Sequence, residues 1–503
     1  MIDTMNLLLQ SVLLPAIFAP VVLALGRRLG KSAGWIAFLP LAYATLIFIY
    51  VAMGIYTGSI DGNLYSTFEW APFIGNFALL ADGLSTPIAL TIALLTTVIS
   101  VYSIAYMEHE KNLGAYFGLY LLYAAGMIGT VLTTNLAAFF LFFELMLIPS
   151  WALIGIWGTG PREKIAFKYF MFTEAGALSL LAGIVAIGFV AGSFDIFTIA
   201  QRTSATSITL LTFIVVAMLI GLFVKMAVFP LHTWLPDAHA EAPTPISALL
   251  SPAMIGIGGY AAIRIVYTAF PRVIQLTQFN LAIGVLAVVT LGYGGIMAVA
   301  QSDMKRLLAY SSISQMGYLL FGLASVSVIG VAGAIVLYIS HGLCKAVLFM
   351  VSGIFMHNYN TRDIGSLSGL AAKMPYTAIA TLVSFLGLAG VPPLVGFWGE
   401  FYVFSGSIYS GLLPSLNMTR IGVTAVALIA SILTAGYGLW TVRRVFYGEV
   451  GEHLKEAREG PKMMLVPMFV LVFLTVAFGI YPALIGKVVT PVAADLVGRL
   501  LRT

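Results

Sequence analysis

Apolar runs of roughly twenty residues recur along the chain, each closed by a short polar or charged interruption. Fourteen are long enough to cross a bilayer as helices: 7–26, 34–54, 82–106, 113–131, 134–157, 166–191, 207–229, 244–269, 278–300, 305–325, 329–356, 376–406, 421–446 and 463–488. The longest polar connections are 55–81, 192–206 and 447–462, and the last reads as a charged loop or short surface helix. The strand alternation of an outer-membrane barrel is missing. The pattern therefore predicts an all-α integral membrane protein of about 14 transmembrane helices.

Composition strengthens this reading. Of 503 residues, 60% are apolar and 9% charged, whereas soluble domains carry roughly a quarter charged residues. The formal charge of +5 comes from basic residues scattered through short loops, so it speaks for membrane topology and against a nucleic-acid partner. With the N-terminus outside, 16 of the 25 Lys and Arg fall in inner loops and 7 outside, including Arg264, Arg420 and Arg502. Both termini are then outside. The first apolar run lacks a basic n-region and a small-residue cleavage site, so it reads as the first span. Cys344 is the sole cysteine, which excludes an internal disulfide and a cysteine-ligated iron–sulfur cluster.

Charges inside the spans point to chemistry. Glu144 lies mid-span in LFFELMLIPSW, Glu174 in the next span, Lys225 in the seventh, His341 and Lys345 in the eleventh, and Glu400 in the twelfth. Ionisable residues at lipid depth are expensive and normally face a partner or a hydrated cavity. Burial disfavours the charged form of carboxylate and amine alike, and a neighbouring opposite charge restores it, so alternating groups suit a proton relay. Blander readings stand beside this one. Glu144 and Lys225 form a static packing pair; His341 and Lys345 are hydrogen-bonded to backbone; Thr173 serves Glu174 locally; Lys305 snorkels at the interface.

The chain is organised around residues 223–252, FVKMAVFPLHTWLPDAHAEAPTPISALLSP. Lys225 precedes a break at Pro230, and His232, Asp237, His239 and Glu241 follow it. Prolines at membrane depth free backbone groups that only protein or water can satisfy, which predicts a hydrated interior. The same prolines destroy the helical face that a histidine-based zinc site would use. There is neither a P-loop nor a dinucleotide fingerprint. Glu400 follows a second break at Pro392-Pro393, five spans after the first, which hints at an internal repeat.

The segments LFFELMLIPSWALIGIWG, VKMAVFPLHTWLPDAHAEAPT, SDMKRLLAYSSISQMGY and PPLVGFWGEF resemble the proton-translocating antiporter-like subunits of respiratory complex I over nearly the whole chain. The glutamate of GFWGEF makes it most similar to the M type (chain 4). The resemblance implies two inverted five-helix repeats with broken helices 7 and 12. Units of 1–112 (helices 1–3), 113–269 (first repeat), 278–446 (second repeat) and 447–503 (charged loop and helix 14) follow. It implies that Glu144 modulates Lys225, that His232 and His239 line the channel, and that Glu400 is the outlet, with Lys305, His341 and Lys345 as relay candidates. Gly256 stands where M-type chains put a bridging lysine, so Lys345, His341 or Lys305 is left to take that role. No cofactor is expected in this chain; NADH or another reduced donor, FMN, iron–sulfur clusters and quinone are expected in partner subunits. Expected partners are L- and N-type antiporter-like subunits, small membrane subunits and lipid, in a prokaryotic cytoplasmic (inner) or equivalent energy-converting membrane. Two other readings stay open: a subunit of a cation/proton antiporter, membrane-bound hydrogenase or formate hydrogenlyase, and a non-pumping membrane anchor.

Overall fold

The computed structural model describes residues 6–413, 415–451 and 454–500, and of Arg27 and Leu29 the backbone alone. The Arg27 side chain and Arg502, both counted in the charge bias above, lie outside the described residues. Helices α1 (Leu7–Leu29) and α2 (Ala33–Thr57) lead into strands β1 (Asn63–Ala71) and β2 (Gly75–Asp82). Next come α3 (Ser85–Tyr106), α4 (Leu113–Leu132), α5 (Leu136–Trp157), α6 (Arg162–Ala191) and the short α7 (Ile196–Arg202). The seventh span is α8 (Ile208–Met226), a break, and α9 (Leu235–Glu241). Helices α10 (Thr244–Leu249) and α11 (Ile255–Ala269) are joined by a π-helical turn, Leu250–Met254, and followed by the short α12 (Pro271–Ile274). The second half holds α13 (Thr277–Val299), α14 (Met304–Ala324), α15 (Val328–Tyr359), α16 (Pro375–Leu388), α17 (Val395–Leu412), α18 (Met418–Phe446), α19 (Lys462–Ile480) and α20 (Ala483–Leu500).

Among the described residues 13 helices are long and apolar enough to cross a membrane. The expected span 376–406 is the exception, because it divides into α16 and α17 around residues 389–394. The multi-pass helical fold is thus the one expected, with two additions. Residues 63–82, read as polar connection, form an antiparallel hairpin in which Asn63 faces Asp82 and Phe68 faces Phe77. Beyond α19, the expected last span to residue 488 stops at Ile480 and a further helix begins. Ile485, Val488, Val489, Ala493, Leu496 and Leu500 form the buried stripe of that α20, which packs on α2, α3, α11 and α15.

Sequence decides which helices go inside. The most apolar 18-residue windows of the α10–α11 segment and of α15 are 100% buried, against 28% for α18. Helix α14, the least apolar span, is also enclosed. Its serines and lysine would be costly against lipid and are sheltered by apolar helices around them. Two arginines assigned above to outer loops are corrected here. Arg264 and Arg420 are both buried within helices. Arg264 pairs with Asp82 at 2.5 Å, and Arg420 donates to the carbonyls of Ala324 and Ser325 and to the Asn280 amide oxygen.

Candidate functional site

Helix α8 ends one residue after Lys225, with Ala227 in the left-handed region at φ 56°. Trp234 folds back from the far side of the break, and its indole N–H donates at 2.9 Å to the Val224 carbonyl, which also accepts from the Ala227 N–H at the helix end. Helix α13 backs the break: Thr290 accepts from the Phe229 N–H at 3.3 Å, and Tyr293 hydroxyl lies 3.1 Å from His232 Nε2. Glycines 176 and 221 let α6 and α8 approach closely, which brings Glu174 and Lys225 into one neighbourhood.

Lys225 is buried, with Nζ 4.6 Å from the ring centroid of Phe143. It feels the charges of Glu144 and Glu174. Among the described residues it forms no ion pair or hydrogen bond, and neither does the enclosed Oε1 of Glu144. The static Glu144–Lys225 pair is therefore not what the structure contains. Nor does Thr173 serve Glu174, since its hydroxyl donates to the carbonyls of Tyr169 and Phe170 within its own helix.

Helix α9 is held in an ionic frame. Asp237 pairs with Lys168 of α6 at 2.6 Å and with Arg306 of α14 at 2.9 Å. Glu241 accepts from Arg362 at 3.1 Å and from the Thr159 hydroxyl at 3.0 Å, while Arg362 also pairs with Asp303 at 2.6 Å. Lys305 corrects the interfacial reading: it is 3% exposed, and its ammonium donates to the carbonyls of Ala242 at 2.5 Å and Ala240 at 3.4 Å. It thereby sits on the negative end of α9 instead of snorkelling. His239 faces inward from α9 and stacks on Phe349 at 4.9 Å, with neither ring nitrogen partnered.

On α15, His341 and Lys345 share a face one turn apart. Lys345 donates to the Leu308 carbonyl at 3.0 Å and to Ser311 Oγ at 2.5 Å, so its backbone-bonded reading holds in part. His341 does not follow it, because both its ring nitrogens are enclosed and unpartnered. His239, His341 and Lys345 interact electrostatically, and Lys305 acts on His239. Glu400 stands on α17 beyond the second break, with its carboxylate against Gly390 (φ 67°); a Cβ there would lie 2.7 Å from Oε2. At Gly256 the ring of Tyr338 occupies the space a side chain would need, with its hydroxyl donating to the Ala253 carbonyl at 2.9 Å.

Twelve described residues carry enclosed side-chain atoms without a hydrogen-bond partner, and six of them are Glu144, Lys225, His232, His239, His341 and Glu400. Ordinary buried polar groups are almost always satisfied. Half of the exceptions thus fall on the ionisable set, and the other half are hydroxyls. Sequence reasoning missed the partners of Asp237 and Glu241, which it weighed only as metal ligands. It also missed Asp82 with Arg264, and the hydroxyls of α14 and α18. The serines of SSISQMGY in the least apolar span were the available signal.

The family model described as NADH:quinone oxidoreductase/Mrp antiporter, TM, matches residues 133–428. A second, NADH-Ubiquinone oxidoreductase (complex I), chain 5 N-terminus, matches 70–117. Subunit M of the F420H2 dehydrogenase of Methanosarcina mazei is 32% identical over 482 residues, covering 94% of each chain. NADH-quinone oxidoreductase subunit M of Rhodobacter capsulatus is 32% identical over 511 residues, covering 98% of this chain and 96% of its own. Among solved structures, a chain of respiratory complex I from Thermus thermophilus superposes with TM-score 0.86 at 25% identity over 98% of this chain and 99% of its own. A chain of the Mrp complex from a Dietzia species gives TM-score 0.87 at 24% identity over 100% of both, a likeness of fold alone.

Proposed function

Because the chain belongs to the NADH:quinone oxidoreductase/Mrp antiporter family of transmembrane subunits, we propose that it is a proton-translocating membrane-arm subunit of a complex I-type oxidoreductase. The observation that carries this reading is the set of enclosed, unpartnered ionisable groups beside two broken helices. Such groups gain partners only from water or from one another, so each is poised to take up and release a proton. Glu144 sets the affinity of Lys225 for its proton; His239, Lys305, His341 and Lys345 carry it through the centre; Glu400 releases it. His232, bonded to Tyr293 below Lys225, lines the approach. With Tyr338 filling the space beside Gly256, Lys345 and His341 supply the central basic groups from α15.

The proposed domain plan is two inverted repeats, 113–269 and 278–446, each with one interrupted helix. Helices 1–3 (1–112) precede them, and the charged loop with the C-terminal helices (447–503) follows. Both termini are placed outside a prokaryotic cytoplasmic membrane, a reading supported by the bias of basic residues toward the other side. Electron transfer is assigned to partner subunits, since one cysteine supplies no cluster ligand set. L- and N-type antiporter-like subunits are the proposed neighbours.

The test is proton uptake by membrane vesicles carrying Lys225→Ala in the assembled complex, with electron transfer followed in parallel. Loss of uptake with assembly preserved supports the pump. Unchanged uptake reduces Lys225 to packing and removes the relay built on it.

A further inference from the structure

Between Lys345 and Glu400 lies a stripe of hydroxyl groups that neither the family match nor the ionisable set accounts for. Ser311, Gln315 and Tyr318 fall at i, i+4 and i+7 on α14, one face of that helix, and Thr434 and Tyr437 fall at i and i+3 on α18. All five are buried. Lys345 Nζ donates to Ser311 Oγ at 2.5 Å, and Ser311 in turn donates to the Tyr437 hydroxyl at 2.6 Å. With both of those bonds running away from the amine, the Tyr437 proton is left to donate onward. Tyr437 interacts with Thr434, Gln315 and Glu400, and Tyr318 with Thr434 and Glu400. The hydroxyls of Tyr318 and Thr434 and Oε1 of Glu400 are enclosed and unpartnered. Gln315 is committed elsewhere, donating to the Leu388 carbonyl at 3.3 Å beside the second break.

We propose that Ser311 and Tyr437 are proton-carrying groups that connect Lys345 to Glu400. This rests on the pump reading above and adds an exit route to it. The step balances as a shift along existing hydrogen bonds. An N–H bond of the Lys345 ammonium breaks as an O–H forms on Ser311, whose own proton passes to the Tyr437 oxygen. Tyr437 releases its original proton toward Thr434 and Tyr318, and the Glu400 carboxylate receives one. Lys345 ends neutral and Glu400 protonated. Rotation of the hydroxyls restores the starting direction. Nothing is oxidised or reduced. Tyrosine suits this place because its ring anchors the hydroxyl against Phe385, at 6.4 Å between centroids.

The experiment compares Tyr437→Phe, Ser311→Ala and Ser311→Thr in the assembled complex, in vesicles, beside Lys225→Ala. The readout is the component of proton uptake that Lys225→Ala abolishes. Removing a positioned proton carrier typically slows transfer by roughly 10²–10⁴-fold, so Tyr437→Phe and Ser311→Ala are each expected to slow that component by at least about ten-fold, with Ser311→Thr restoring it. Wild-type uptake in Tyr437→Phe and Ser311→Ala overturns the bridge. So does Ser311→Thr as slow as Ser311→Ala, which would make the position one of packing. If Tyr437→Phe fails to assemble, the Ser311 pair decides alone. A bridge failure leaves Lys225→Ala inactive in pumping, whereas failure of the pump reading leaves Lys225→Ala pumping normally, so the two are distinguishable.

Discussion

Asp82 and Arg264 join the base of the hairpin to α11, 2.5 Å apart, with side chains 9% and 7% exposed. Asp82 Oδ1 also accepts from the N–H groups of Leu84 and Ser85 and from the Ser85 hydroxyl. Asp82→Asn keeps an oxygen for those donors but leaves a buried guanidinium without its counter-charge, a loss of about 3–5 kcal/mol. Arg264→Met strands a carboxylate that retains three donors, so its loss falls toward the low end of that range. Removing both charges together is close to neutral, which makes the single losses strongly non-additive, with an interaction energy about as large as their sum, roughly 6–8 kcal/mol. The assay is the half-life of the purified assembly's activity at a fixed elevated temperature. If the loss falls on the unfolding rate, about 3 kcal/mol shortens the half-life roughly a hundred-fold. A change in Asp82→Asn within about two-fold, or a double variant showing the full sum of both losses, refutes the reasoning. Acid gives an independent check. Burial opposes ionisation of Asp82, but Arg264 and the hydrogen bonds outweigh it and hold the carboxyl below its ordinary value. Its contribution is therefore fully present above the unfolded value of about 3.9 and is lost as pH falls through the lower folded value.

Three further outcomes are expected. Lys225→Met removes an enclosed, unpartnered ammonium and keeps a sulfur against Phe143, so thermal stability holds or rises by up to about 3 kcal/mol while proton uptake is lost; stability and uptake falling together would return Lys225 to packing. Gly390→Ala adds about 1–2 kcal/mol of left-handed strain and a methyl against Glu400, slowing proton uptake, whereas Gly58→Ala, at φ 75° with open space, adds the strain without slowing uptake. Asp237→Asn removes the pairs with Lys168 and Arg306, loosening α9 by roughly 1 kcal/mol, and raises the reactivity of a cysteine placed at Thr233.

The apolar periodicity by itself determined the helical membrane fold and most of its spans, because a bilayer imposes a length and composition that each crossing must satisfy on its own. It also exposed Glu144, Lys225, His341, Lys345 and Glu400, since charge at lipid depth is conspicuous without any neighbour in view. What tertiary structure alone decided is which of these groups have partners. Lys305 looks interfacial at its helix start, yet α9 arrives from sixty residues away and buries it against two carbonyls. Asp237 and Glu241 are left without a role once the prolines rule out a zinc site, and only the fold brings Lys168, Arg306 and Arg362 onto them. The serines of SSISQMGY mark α14 as a polar span, but a hydroxyl in a helix does not say which group it serves. Their meaning comes from a contact between helices 126 residues apart in the chain, which no local pattern encodes.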